Sequence, residues 1–275
     1  MKLQYFGTAA AEGWPALFCD CDACRRAKAA GGRNIRTRSQ ALIDDRLLID
    51  FPADTYLHVL HYGLDLNRVD AVIVTHAHED HFYPKELGNR RNGFAHLPED
   101  APRTLTVYGS EKIGKALASV IAGAPGRIAF EQLEIGEASI IAGYSVTPLP
   151  ADHNPASGPV IYLIGDGKSN LLYAHDTGYF PEETWRFLET FGCGLTGVSL
   201  DCTGGLGAQY RNGHMGTEAC REVRDRLFRM GIVNEHTVFC LHHFSHNGKS
   251  TYDDLKAPAA ELGFEVSYDG MTLYC

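Results

Sequence analysis

In the stretch Val72-Ile73-Val74-Thr75-His76-Ala77-His78-Glu79-Asp80-His81-Phe82, an apolar run leads directly into five titratable side chains within six residues. Neutral imidazole and carboxylate are good ligands for Zn, Mn or Fe. His76 and His78, one residue apart, can point the same way from an extended or turning backbone, and Asp80 and His81 supply a second pair just beyond. Two such sites side by side would suit a pair of ions about 3.5–4 Å apart, able to clamp an anionic transition state and hold a nucleophilic hydroxide. A lone His-x-His would read equally well as surface histidines. The density of ligand types straight after an apolar strand favours a metal centre.

A second cluster, Cys19-x-Cys21-x-x-Cys24, places three thiols within six residues. They are close enough to ligate one ion but badly spaced for disulfides among themselves. Three thiolates and one histidine would make a closed tetrahedral Zn site, which is structural because no position is left for substrate. The fourth ligand is missing locally. The remaining cysteines, Cys193, Cys202, Cys220, Cys240 and Cys275, are scattered and read as core residues.

Other polar residues carry weaker signals. His153 in Pro150-Ala151-Asp152-His153 and Asp176 in His175-Asp176-Thr177-Gly178 could each be an ordinary loop or turn residue. Arg36 and Arg38 could hold a phosphate in forked guanidinium groups or form a solvated basic turn. His214, in Asn212-Gly213-His214-Met215-Gly216, reads as a cap of the helix expected from Thr217 or a solvent contact. His175 reads as a loop stabiliser, and His58, His61, His96 and His236 as surface or helix-end residues. Thr203-Gly204-Gly205-Leu206-Gly207 lacks the Lys of a phosphate-binding loop and reads as a mobile loop beside the site.

These residues need a rigid frame. Runs rich in Val, Ile, Leu and Tyr predict strands over 2–6, 46–49, 70–75, 105–108, 145–149, 160–164, 171–174, 198–201 and 237–241. Periodicity and start signals predict helices over 55–62, 110–122, 182–190, 217–230 and 252–262. Strands interspersed with helices imply a layered α/β or α+β fold, and nothing in the sequence marks a domain boundary within 1–275. A chain of 275 residues, 44% hydrophobic, can bury a large core. Its net charge of −9 opposes a broad footprint on nucleic acid or anionic membrane but allows a small anionic substrate. With no apolar run long enough to span a bilayer and no signal-peptide pattern, a cytoplasmic location is expected; a homodimer is compatible with all of this.

The segment Thr75-His76-Ala77-His78-Glu79-Asp80-His81 resembles the HxHxDH signature of the metallo-β-lactamase superfamily of dinuclear hydrolases. That resemblance implies a four-layer αββα sandwich with metals at the sheet edges. It also implies that His76, His78 and His153 hold one divalent ion, that Asp80, His81 and His243 hold the other, and that Asp176 bridges them. His242 is the alternative to His243. The CxCxxC cluster together with His243-x-x-His246 resembles the PhnP-type branch of phosphoribosyl cyclic phosphate phosphodiesterases, in which the second late histidine, here His246, completes a structural Zn site. This resemblance runs from Gly7-Thr8 through Glu12-Gly13-x-Pro15 to His246, with Ala9 departing from the usual Gly-Thr-Gly turn. It implies a dimetal phosphodiesterase, using Mn, Zn or Fe, for a small or cyclic phosphate ester, with Asp80 and His214 in the catalytic machinery. Thioester or lactone hydrolysis, tRNase Z-like RNA processing and a metal-binding accessory role are the alternatives. The acidic balance and the absence of a basic arm oppose RNA.

Overall fold

The computed structural model describes residues 1–275. Strands β1 (Lys2–Gly7), β2 (Gln40–Ile43), β3 (Leu47–Ile49), β4 (Ala71–Ile73), β5 (Leu105–Gly109) and β6 (Ile128–Gln132) lie side by side in chain order in one sheet. The next seven strands, β7 (Ser139–Ile141), β8 (Tyr144–Pro150), β9 (Val160–Gly165), β10 (Asn170–Ala174), β11 (Gly197–Asp201), β12 (Val238–His242) and β13 (Glu265–Val266), do the same in a second sheet. The last strand, β14 (Thr272–Tyr274), returns to the first sheet and pairs antiparallel with β1, Leu273 opposite Leu3. In each sheet an antiparallel half adjoins a parallel half: β3 to β6 are parallel in the first, β10 to β13 in the second.

Successive side chains on a strand point to opposite faces, and the core divides accordingly. Ala71 and Ile73 of β4 join Leu3, Ile49, Tyr162, Leu171 and Tyr173 in a core between the sheets. Val72 and Val74 face the other way, into a core with Leu48, Val107, Ile113 and Leu117. A strand buried on both faces must be apolar throughout, which explains the unbroken Val-Ile-Val. The second sheet behaves alike: Cys240 of β12 faces inward, whereas Phe239 and Leu241 pack outward. The result is an α/β sandwich of four layers.

The outer layers are helices α1 (Asp22–Ala30), α2 (Thr55–Tyr62), α3 (Glu111–Gly123), α4 (Glu182–Thr190), α5 (Thr217–Met230) and α6 (Tyr252–Glu261). In α5 the buried residues Ala219, Cys220, Val223 and Leu227 recur at helical spacing, and Gly231 ends the helix in a left-handed conformation (φ 72°). A reciprocal pair of hydrogen bonds between Thr251 and Asp254 starts α6. The outward core of the second sheet holds Trp185 and Leu188 from α4 together with Val223, Leu227, Leu255 and Ala259. Truncating one of the larger aliphatic side chains there to alanine should cost about 2–5 kcal/mol. No helix is long and apolar enough to cross a membrane.

Candidate metal centre

The sheets converge on one rim, where the chain leaves successive strands. Asp50 follows β3, the segment His76–His81 follows β4, His153 follows β8, Asp176 follows β10, Asp201 closes β11 and His243 follows β12. Asp50, Asp176 and His243 leave their strands with positive φ (65°, 52° and 61°). Non-glycine residues seldom adopt this conformation, and Asp, Asn and His tolerate it best. The sharp exits aim these side chains back across the rim.

Two donor groups meet there and share Asp176. In the first, His76 Nε2 lies 3.0 Å from His78 Nδ1 and His153 Nε2 lies 3.2 Å from the same atom, with Asp176 Oδ2 3.0 Å from His76 Nε2. In the second, His81 Nε2 lies 3.1 Å from His243 Nε2, 3.0 Å from Asp176 Oδ2 and 3.5 Å from Asp80 Oδ2. Within each group the donor atoms all fall within 4.8 Å of one another.

The second layer of hydrogen bonds decides which ring nitrogens carry protons. His81 Nδ1 donates to Asp50 Oδ2 at 2.7 Å. Asp50 Oδ1 also accepts from Thr75 N at 2.8 Å and from the Thr75 hydroxyl at 2.9 Å. That hydroxyl, having given its proton, accepts from His76 Nδ1 at 3.1 Å. His153 Nδ1 donates to Gly213 O at 3.1 Å, and His243 Nδ1 donates to Thr203 Oγ1 at 2.9 Å. The opposite nitrogens of His76, His81, His153 and His243 are thereby left as bare lone pairs, all pointing inward. Lone pairs about 3 Å apart in a buried site repel each other unless a cation or a proton lies between them, so the donor set fits divalent ions.

A family profile described as the Beta-lactamase superfamily domain matches residues 46–254, more than half of the chain, and includes this rim from Asp50 to His243. The chain belongs to the beta-lactamase superfamily. Similar solved structures include a diphosphatase from the PhnP family, 22% identical with a TM-score of 0.73, the alignment covering 100% of this chain and 97% of that one. Zn(2+)-bound PqqB from Methylobacterium extorquens is 19% identical with a TM-score of 0.73, both chains fully covered. Human tRNase Z, short form, is 12% identical with a TM-score of 0.66, covering 100% and 99%. Among curated proteins none matches this sequence.

Electrostatics within this superfamily member follow from the crowding. Burial alone would raise the Asp176 carboxyl, yet the imidazoles of His243, His81, His214 and His76 hold it well below the usual carboxylate range. His81 is pulled down by burial, but Asp50, Asp80 and Asp176 push it well above an ordinary histidine. Burial and the neighbouring His81 take His76 down to about 4. His214 sits with Nδ1 3.1 Å from Asp201 Oδ2 and 3.1 Å from Asp176 Oδ1, and these carboxylates outweigh its burial and raise it to about 11.

The structure brings together His76, His78, Asp80, His81, His153, Asp176 and His243, with His214 beside them. His242 stands apart. Its two nitrogens are engaged by Ser267 Oγ (3.0 Å) and Ser39 Oγ (3.1 Å), and its ring stacks on His175 at 3.9 Å between the sheets. Arg36 and Arg38 do not line the cleft above the site, which is about 360 Å³ in volume. Arg36 is buried, bonding Thr8 Oγ1 (2.8 Å) and Ser267 O (2.7 Å) under the Phe244 ring, and Arg38 pairs with Asp54 at 3.0 Å. Neither arginine is thus placed to hold a phosphate in that cleft: Arg36 spends Nη1 on Thr8 and Ser267, and Arg38 spends Nε on Ala11 O and Nη1 on Asp54. His58 is likewise no surface residue. It is fully buried between Thr37 Oγ1 (2.8 Å) and Gln40 Oε1 (2.6 Å). The 203–207 loop is packed down, for a Cβ at Gly204 would lie 1.8 Å from Ala208 O and one at Gly207 2.5 Å from Gly248 O.

Sequence reasoning missed Asp50, Asp201 and Thr203. The available signal for the two acids was a carboxylate directly after an apolar run, in Leu48-Ile49-Asp50 and Val198-Ser199-Leu200-Asp201.

The thiol cluster gathers at the start of α1. Cys21 caps the helix, accepting from Cys24 N at 3.5 Å, and His246 Nδ1 lies 3.6 Å from Cys19 Sγ and 3.5 Å from Cys21 Sγ. All four ligand atoms lie within 4.8 Å of one another. Burial works against the Cys21 thiolate, but the Cys24 amide, His246 and Cys19 outweigh it and bring the thiol down to about 6, whereas burial raises Cys24 to about 12. Glu12 Oε1 stands 3.5 Å from His246 Nε2 and accepts from the Ser245 hydroxyl, holding the ring from behind. Three thiols and an imidazole converging in this way fit a Zn ion.

Proposed function

We propose that this protein is a metal-dependent hydrolase of phosphodiesters, with two divalent ions, Zn, Mn or Fe, held by His76, His78, His153 and by Asp80, His81, His243, and with Asp176 shared between them. The observation that carries this reading is the pair of inward-facing lone-pair sets on either side of one buried carboxylate. Ions bound there would lower the pKa of a water molecule and neutralise charge developing on the phosphoryl oxygens.

The chain's own residues do the rest. Thr75, Asp50, Thr203 and the Gly213 carbonyl fix the imidazoles so that no ligand has to turn during reaction. His214, about one-third exposed at the cleft, presents Nδ1 to Asp201 and Asp176, which keep the ring protonated and leave Nε2 for substrate. As water adds to phosphorus and the ester P–O bond breaks, Nε2–H gives its proton to the departing oxygen, the water's proton goes to solvent, and a monoester and an alcohol result. Such general acid help is worth about 10²- to 10⁴-fold. Cys19, Cys21, Cys24 and His246 are assigned to one structural Zn that ties α1 to the segment carrying His243.

The test is a panel of phosphodiester, thioester and lactone substrates offered to the metal-loaded protein. Metal-dependent turnover confined to phosphodiesters is expected. Turnover confined to either other class would replace this reading, and no turnover across the panel by fully loaded protein would favour an accessory role.

A further inference from the structure

The segment that carries His214 has no regular structure of its own from Arg211 to Met215. Its main chain is held instead by the loops that hold the proposed ligands. Gly213 N donates to Asp152 Oδ2 at 3.0 Å, and Gly213 O accepts from His153 Nδ1 at 3.1 Å, so two adjacent side chains grip both ends of one residue. Arg211 O accepts from Tyr179 N at 2.8 Å, and Met215 N donates to Asp201 Oδ1 at 3.0 Å. Gly213 has a φ of 71°, a conformation open to glycine, and Gly178 lets the segment lie flat: a Cβ there would come 2.3 Å from Asp152 Oδ2, 2.6 Å from Arg211 O and 2.8 Å from Asn212 Cα.

We propose that Asp152 is a positioning residue for His214, acting through the Gly213 amide, and that the Gly213 residue couples the orientation of the His153 ring to that of the proton donor. Asp152 itself is absent from the cleft lining and from the donor groups. Its main chain faces the Asp176 loop, with Gly178 N donating to Asp152 O at 2.9 Å and Asp152 N donating to Thr177 Oγ1 at 3.0 Å. The carboxylate spends its one side-chain hydrogen bond on the His214 segment. Displacing a reacting group by about 1 Å can cost 10²-fold, so a loosened Gly213 should be felt in the chemical step.

This inference rests on the phosphodiesterase reading, and the experiment separates the two. Asp152→Ala, Asp152→Asn and His214→Ala, each with its metal content measured, are assayed on an alkyl phosphodiester and on a nitrophenyl phosphodiester. Asp152→Ala is expected to keep its metals and lose about tenfold or more in kcat on the alkyl ester, with a smaller loss on the nitrophenyl ester, whose leaving oxygen needs little protonation. Asp152→Asn keeps an oxygen for the Gly213 amide and should recover most of the rate. In the His214→Ala background, Asp152→Ala should add nothing, because residues acting through one another are not additive. Gly178→Ala, which pushes the segment from the other side, should reproduce the leaving-group dependence. Equal losses on both esters, or effects of Asp152→Ala and His214→Ala that multiply, would overturn the positioning role while leaving the phosphodiesterase intact. Absence of turnover in the unsubstituted protein would instead remove the reading beneath it.

Discussion

Replacing Asp50 with asparagine changes a single atom and should disable the second donor group without unfolding the chain. Asp50 is fully buried, with Oδ1 accepting from the Thr75 amide at 2.8 Å and Oδ2 accepting from His81 Nδ1 at 2.7 Å. Asparagine has one acceptor oxygen and one NH₂. If its oxygen stays with the Thr75 amide, the NH₂ faces His81 Nδ1, which must then become the acceptor. The ring proton moves to Nε2, the atom 3.1 Å from His243 Nε2 and 3.0 Å from Asp176 Oδ2, and the lone pair needed by an ion is lost. If the amide flips, the NH₂ meets the Thr75 N–H and a buried donor goes unpaired, costing about 1–3 kcal/mol. Backbone strain does not enter, since asparagine tolerates the φ of 65° as aspartate does. Losing such an outer partner typically weakens metal binding about 10- to 100-fold. Competition against a chromophoric chelator would read this directly, with circular dichroism to verify the fold. Affinity within twofold of the unsubstituted protein, in a folded variant, would refute the tautomer argument.

Other consequences can be measured independently. Cys21→Ser should release one tightly held Zn and lower the melting temperature, part of the roughly 10 kcal/mol that structural Zn can contribute in small domains; unchanged Zn content would remove the assignment. His78→Ala or Asp80→Ala should abolish most hydrolysis and leave the thiol-bound ion in place, which metal analysis beside the activity assay would check. Burial depresses His58 to about 4, with Asp54 opposing only in part. Below an unfolded value near 6.5 the unfolded chain binds the extra proton, so its contribution is complete above about pH 6.5 and lost as pH falls towards 4. That loss is on the order of 3 kcal/mol, and denaturant titrations from pH 7 to 4 should show a shallower decline in His58→Gln than in the unsubstituted chain.

What the sequence disclosed, and what it hid, follows from how each element earns its stability. The strands expected from apolar runs all exist, because a strand packed on both faces writes its burial into every residue, as Val72 and Ile73 do. Of the missed strands, β7, β13 and β14 are short edges of two or three residues, held by register with a neighbour more than by composition, and β2 is a buried run of only four residues opened by the polar Gln40. Strand β6 is exposed along half its length. Helix α1 has a weakly apolar sequence and starts from a cysteine cap, and its short buried face, Ala23, Cys24 and Ala27, carries little apolar signal. At the rim, HxHxDH is local and legible. Asp50 and Asp201 come to it through strand register across the sheet, and a single acid after an apolar run looks the same whether it turns inward or into solvent. Arg36 misled for the converse reason: its hydrogen-bond partners Thr8 and Ser267 are distant in sequence.

The three left-handed residues at the strand exits also bear on how the molecule breathes. Asp50, Asp176 and His243 hold an uncommon backbone conformation at adjacent corners of one rim, while their strands are anchored in the continuous cores below. In chelated protein this rim would combine conformational strain with electrostatic crowding, and local opening there should require far less free energy than global unfolding. Amides flanking those corners should exchange with solvent by small fluctuations in chelated protein, and ion binding should slow them in proportion to ion concentration over its dissociation constant. Metal starvation would then loosen the edge of the sandwich well before the sheets themselves came apart.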